Sequence, residues 1–183
     1  MDYNKKIRDA IKNIIKLYKK EPFRILSKSD MKCWLFHFLI DKKEFNVYEN
    51  KEVRKTYLIH SETHVGRDSW VDIYIFKVPI EFNRSERTEG YLQKWKFNND
   101  DADFTIAIEL KYNYNNVKTD VEKKIELDMV KFNKSSIDDK YFVMFDHRGT
   151  LLKKEFEHLI KDNIKAIYID GFRRKVYSKP SFY

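Results

Sequence analysis

Two short apolar runs that carry charged residues constrain the fold of this chain more than any other feature of its sequence. Residues 70–76 read WVDIYIF, and residues 105–112 read TIAIELKY. Both runs have the length and the β-branched and aromatic content of buried strands. Because side chains two positions apart on a strand share a face, Glu109 and Lys111 project together, on the face opposite Leu110. Charges in such a run are costly to bury, so a function for them is expected.

The charged residues of these runs are of the types used in metal-assisted phosphate chemistry. Two carboxylates and a lysine suit a hard divalent cation and the phosphate that it polarises. The arrangement resembles the PD-(D/E)xK nuclease superfamily, with Asp72, Glu109 and Lys111 at the positions of its motif. Val71 stands where the motif has its proline, and 36 residues separate Asp72 from Glu109. The resemblance therefore implies an insertion, which we place at 79–103.

The order of the predicted elements agrees with that resemblance. The superfamily core runs helix, three strands, helix, strand, and residues 28–147 follow that order. We therefore predict a single α/β domain over residues 1–183 with a restriction-endonuclease-like core, in which helices flank a central mixed sheet. An N-terminal helix and a C-terminal helix and strand are additions to this core. Apolar periodicity predicts helices at 3–20, 28–41, 118–134 and 150–162, and strands at 57–65, 70–78, 104–112, 140–146 and 166–169.

The resemblance also implies roles for individual residues. Asp72 and Glu109 would bind Mg²⁺, with Mn²⁺ as a substitute, and Lys111 would stabilise negative charge or help to activate the attacking water. Members of the superfamily often carry a further acid on the first helix or strand. Asp30 and Glu62 both qualify, but Asp30 is also typical of a helix cap, so Glu62 is the preferred fourth catalytic residue.

One other metal site has to be considered on the same predicted strand. His60, Glu62 and His64 alternate along it and would share a face. Histidine and glutamate are ligands for transition metals such as zinc. The alternative interpretation is a polar strand face close to a phosphate-binding site.

Positive charge is concentrated at the start of the chain. Residues 1–55 hold 15 Lys and Arg against 8 Asp and Glu, whereas the remaining residues hold 22 against 21. A basic accessory helix at 1–21 suits contact with a polyanion, although a solvated lysine-rich helix explains the same pattern. Phosphate contacts are predicted at Lys12, Lys16, Lys123, Lys124, Arg173 and Arg174, with ordinary surface charge as the alternative.

The resemblance thus implies a metal-dependent nuclease that hydrolyses phosphodiester bonds, with DNA as the expected substrate. A homodimer would allow two sites to cut the two strands of a duplex. The alternative is a catalytically inactive protein that keeps the nuclease fold and binds nucleic acid or a protein partner. The single cysteine, the absence of a signal-peptide pattern and the absence of a membrane-length apolar stretch predict a cytoplasmic protein without a membrane partner.

Overall fold

A computed structural model shows an α/β fold with four helices among the residues that it describes. The helices are α1 (Tyr3–Lys20), α2 (Lys28–Ile40), α3 (Lys118–Lys134) and α4 (Lys153–Leu159). The strands are β1 (Val53–Lys55), β2 (Ile59–Val65), β3 (Ser69–Phe76), β4 (Glu81–Asn83), β5 (Phe104–Asn113), β6 (Asp139–Asp146), β7 (Ile164–Asp170) and β8 (Lys175–Ser178). The structure describes residues 3–21, 24–40, 53–55, 59–65, 69–76, 81–83, 104–134, 137 and 139–179. Of these it gives only the backbone for 53–55, 59–65, 69–70, 76, 81–83, 104–105 and 133–134.

Six of the strands form one mixed sheet in the order β2-β3-β5-β6-β7-β8. The pairs β2–β3, β3–β5 and β7–β8 are antiparallel, and β5–β6 and β6–β7 are parallel. Parallel neighbours need a crossover connection, and α3 and α4 provide the two crossovers. As a result the carboxyl ends of β5, β6 and β7 lie at the same edge of the sheet.

Helices cover both faces of this sheet. On one face α1 and α2 bury an apolar stripe against alternate strand residues, which include Ile73, Ile108 and Leu110. On the other face α3 and α4 pack against Tyr74, Ala107 and further residues of β6 and β7. Since Asp72 and Glu109 alternate with the first set, they belong to the face that α3 covers.

The start of α2 is fixed by a cap that the sequence predicts. Ser27 Oγ accepts the Asp30 N–H at 3.1 Å, and the Asp30 carboxylate accepts the Leu26 N–H and the Ser27 hydroxyl, both at 2.9 Å. These bonds satisfy donors that a helix end leaves unpaired. Asp30 is therefore a capping residue, and the cap places Lys28 in the first turn.

The predicted α/β class and the mixed sheet are confirmed, whereas the restriction-endonuclease-like core remains a prediction. The helix predicted at 150–162 is shorter, because Leu152 and Ile160 both have extended backbone at the ends of α4. Strand β8 is absent from the sequence-based prediction, in which the neighbouring Arg173 and Arg174 are phosphate contacts or ordinary surface charge. Of the predicted insertion at 79–103, only β4 is described, and it pairs with β1 in a separate two-stranded sheet. Within the described part of the chain, no helix combines the length and apolar content needed to cross a membrane.

Candidate metal and phosphate site

Asp72 and Glu109 lie where two antiparallel strands separate. The paired region of β3 and β5 ends at Ile73 and Ile108, and the two acids are the next residue on each strand. The Leu110 N–H donates to Asp72 Oδ2 at 2.8 Å. Just past the last strand pair, the Asp72 carboxylate thus replaces a backbone carbonyl as the acceptor for this N–H. Both carboxylates are buried, with exposed fractions of 7% for Asp72 and 3% for Glu109.

A lysine that the sequence analysis did not single out bridges the two acids. Lys28 Nζ lies 2.9 Å from Asp72 Oδ1 and 3.5 Å from Glu109 Oε1. Its side chain is 42% exposed, so the ammonium joins the buried acids to the surface. Asp72 and Glu109 thus direct one oxygen each at a common cation.

The predicted catalytic lysine has a different partner. Lys111 Nζ lies 2.5 Å from Asp128 Oδ2, and Asp128 Oδ1 also pairs with Lys131 at 3.2 Å. Asp128 is 2% exposed and comes from α3. Hydrogen-bonded charge pairs of this kind restrict a side chain that would otherwise be mobile. Asp128 therefore fixes the position of Lys111 next to the two carboxylates.

Burial and neighbouring acids make Glu109 hard to ionise. Loss of solvent, followed by the Asp72 and Asp128 carboxylates, raises the pKa of Glu109 to about 8, although Lys28 and Lys111 oppose the shift. Glu109 Oε2 is buried and has no hydrogen-bond partner among the described residues. Lys28 is shared between Asp72 and Glu109, whereas Lys111 and Lys131 both pair with Asp128. The buried Glu109 carboxyl therefore favours an added proton or an added cation.

The charges and burial around Glu109 also shift the pKa values of Lys28 and Tyr74. Burial alone would lower the pKa of Lys28, but Glu109 and Asp72 outweigh it, and the net shift is upward. Burial and then Glu109 raise the pKa of the Tyr74 hydroxyl. Lys28 consequently keeps its positive charge, and Tyr74 keeps its proton.

A cavity of about 250 Å³ is lined by two of the lysines that pair with the buried acids, Lys28 and Lys111. Its lining includes three lysines, Lys28, Lys111 and Lys124. Ammonium groups are hydrogen-bond donors for phosphate oxygens. Because Lys28 also contacts Asp72 and Glu109, the cavity places an ammonium donor for an anion directly beside acids that attract a cation.

The donor set fits a hard divalent cation. Mg²⁺ is commonly bound by one or two carboxylates while its other positions hold water and substrate phosphate. Asp72 and Glu109 supply that number, and the Glu109 oxygen without a hydrogen bond is a further acceptor. Among the described residues, no three His, Cys, Asp or Glu side chains are grouped so that they could hold a metal ion.

Glu62 is placed near this site by the strand register alone. Its neighbours Ser61 and Thr63 pair with Ile73 and Val71, so Glu62 occupies the β2 position across from Asp72. The side chains of Glu62, His60 and His64 lie outside the described part of the structure. The predicted catalytic role of Glu62, and the alternative histidine cluster, therefore stay predictions.

The residues predicted to bind nucleic acid do not form one surface. Lys124 lines the cavity, whereas the exposed lysines of α1 belong to the layer on the other side of the sheet. The exposed Arg173 side chain is paired within the protein, with its guanidinium 2.6 Å from Asp170 Oδ2 and 2.9 Å from the Gly149 carbonyl oxygen. Nucleic-acid contact remains a prediction for all six residues, and all six are exposed: Lys12, Lys16, Lys123, Lys124, Arg173 and Arg174.

The sequence patterns above do not single out Lys28 and Asp128, although each occupies an unusual position in its helix. Asp128 lies seven residues after Val121, on the apolar stripe of α3 that also contains Ile125 and Met129. An acid on a core-facing stripe is unusual enough to suggest a buried partner. Lys28 opens α2, where the helix dipole disfavours a positive charge, so its presence indicates a compensating acid nearby.

Comparison of the chain with protein-family models, with curated proteins and with solved structures finds no match.

Proposed function

We propose that this protein is a Mg²⁺-dependent nuclease that hydrolyses phosphodiester bonds in DNA, with Mn²⁺ as a substitute metal. The observation that supports the proposal is the convergence of Asp72 and Glu109 on one cation, beside a cavity that holds three lysines. A phosphodiester brings negative charge, and a bound metal brings positive charge. The two carboxylates would accept the metal, and the neighbouring lysines of the cavity would accept the phosphodiester.

Asp72 and Glu109 would hold the metal, and Glu62 is the proposed additional acid. The Leu110 N–H orients Asp72, so that its second oxygen is left for the cation. A bound Mg²⁺ would polarise the phosphate and lower the pKa of the attacking water. Lys111, held by Asp128, would donate to a phosphate oxygen as negative charge develops on it.

Lys28 has two functions in this proposal. Without metal, its ammonium pairs with Asp72 and lies 3.5 Å from Glu109 Oε1. When a divalent cation takes their oxygens, the lysine would turn towards the cavity that it already lines. Its positive charge would then act on the substrate phosphate, and like-charge repulsion from the metal would favour the movement.

A second function is favoured by the same lysine. In an inactive protein of this fold, Lys28 would permanently take the place of the metal, and the Lys111–Asp128 pair would complete a self-contained ionic network. Such a protein would bind nucleic acid or a protein partner without cutting. It would keep its basic surface, and it would show no metal-dependent reaction.

The experiment that separates these two functions is cleavage of labelled DNA with Mg²⁺, with Mn²⁺ and with EDTA. Linear, circular, single-stranded and branched substrates cover the forms that the site does not distinguish. Asp72→Ala and Glu109→Ala are the test variants, and Asp120→Ala is the control because this acid is exposed at the start of α3. We expect the wild type and the control to cut only with metal, and both test variants to be inactive.

Binding of DNA by the wild type without any cutting would reject the nuclease and support the inactive protein. Cutting of both strands of a duplex at the same site would call for sedimentation measurements on the complex, because a homodimer is the arrangement that supplies two sites.

A further inference from the structure

An aromatic stack lies at the edge of the sheet next to the cavity. Tyr114 follows β5 and His147 follows β6, and their rings stack with centroids 5.2 Å apart and planes 26° apart. The His147 N–H donates to the Asn113 carbonyl oxygen at 2.8 Å, which ties the two chain segments together. Tyr114 is 58% exposed. The fold therefore presents a fixed aromatic surface to solvent.

A third segment brings another aromatic residue to the same edge. The Gly171 N–H, after β7, donates to the Asp146 carbonyl oxygen at 2.8 Å. A Cβ at position 171 would lie 3.0 Å from the His147 Cα, so this segment packs directly against His147. Phe172 follows Gly171 and is 76% exposed.

The exposed charge at this edge is positive. Arg148 and Arg174 are exposed, whereas Asp146 and Asp170 are fully buried. Both acids accept hydrogen bonds within the protein. Asp146 accepts them from the Thr150 N–H and the Tyr168 hydroxyl, and Asp170 accepts one from the Arg173 guanidinium. The cations would attract the phosphates of a nucleic acid, and the aromatic rings would stack on its accessible bases. The buried acids at the strand ends do not oppose this attraction.

We infer that this surface binds an unpaired DNA strand. We call it the aromatic edge and define it by Tyr114, His147, Arg148, Phe172 and Arg174. Bases of a single strand are free to stack on side-chain rings, whereas those of a duplex already stack on each other. Asn113 lines the cavity and immediately precedes Tyr114, so the strand would run from the cavity onto the aromatic edge. The inference rests on the proposed function only in taking DNA as the ligand.

The test is the anisotropy of fluorescein-labelled oligonucleotides in EDTA, at one fixed ionic strength. The probes are an oligothymidine of about 12 nucleotides, a blunt duplex of the same length, and an abasic oligomer with the same phosphates. We expect the wild type to bind the oligothymidine more tightly than either of the other probes. Tyr114→Ala and Phe172→Ala should each weaken oligothymidine binding by about tenfold. Tyr114→Phe should bind like the wild type, because it retains the ring.

Leu127→Ala is the matched control, since Leu127 is similarly exposed, at 56%, on the outer side of α3. It should leave all three affinities unchanged. Equal binding of the abasic oligomer and oligothymidine would overturn the inference, as would tighter duplex binding or an unaltered Tyr114→Ala. Because EDTA prevents metal-dependent cleavage, the two proposals fail separately: this binding pattern without any cutting in Mg²⁺ rejects the nuclease alone.

Discussion

Replacing Glu109 with glutamine should stabilise the protein increasingly as the pH rises through the neutral range. Glu109 is buried beside two other acids, and its pKa is raised from 4.5 to about 8. Between these two pKa values the folded protein holds a proton that the unfolded chain has released. The free energy of unfolding of the wild type therefore falls as the pH rises in this window. Glutamine has no proton to lose and avoids this cost.

The magnitude follows from the two pKa values. Well inside the window, the linkage costs the wild type about 1.4 kcal/mol of stability for each pH unit. The advantage of Glu109→Gln over the wild type should thus grow by about 2–3 kcal/mol between about pH 5.5 and about pH 7.5. Above the folded-state pKa of about 8 the advantage should level off, because both states of the wild type are then ionised.

The assay is urea unfolding of the two proteins across this pH range, in a buffer without divalent metal. Glu155→Gln is the matched control, because the Leu152 N–H and Lys118 hold the pKa of Glu155 below its usual value. Glu155 is ionised in both states throughout this window, so the difference between the control and the wild type should stay constant. Parallel stability curves for Glu109→Gln and the wild type would refute the reasoning, since the glutamate would then carry no burial cost.

Three other variants test separate parts of the account. Asp128→Asn releases Lys111 and should reduce cleavage by about 10- to 100-fold while the protein remains folded, as measured by single-turnover kinetics and circular dichroism. Ser27→Ala removes the α2 cap and should lower the free energy of unfolding by about 1 kcal/mol in urea titrations. Lys12→Ala combined with Lys16→Ala should flatten the salt dependence of DNA affinity by about 1–2 units of log–log slope. An unchanged slope would assign these two lysines to an ordinary solvated face.

The sequence was sufficient to predict the elements that carry regular apolar patterns. Helices α1 and α3 have the predicted bounds, because each places apolar residues on one stripe over its whole length. Strand β8 was not predictable from such a pattern. It is held by pairing with β7, after a turn in which Arg174 has a φ of 53° and Arg173 binds Asp170.

The candidate site was only partly predictable for a different reason. Asp72 and Glu109 stand out because they interrupt apolar strands, and the strand register brings them to neighbouring positions. Lys28 lies on α2 and contacts Asp72 on β3, whereas Asp128 lies on α3 and contacts Lys111 on β5. Their participation depends on how the helices pack on the sheet, and local sequence patterns do not specify that packing.

The measurement that tests the central claim most directly is single-turnover cleavage of labelled DNA by the wild type, Glu109→Gln and Glu155→Gln, each with Mg²⁺ and with EDTA. We predict that the wild type and Glu155→Gln cut only with Mg²⁺, and that Glu109→Gln is inactive. The urea unfolding curves of Glu109→Gln show whether the variant is folded at the pH of the cleavage assay, which separates loss of the site from unfolding. Undiminished cutting by Glu109→Gln, cutting in EDTA, or no cutting by the wild type would contradict the proposed site.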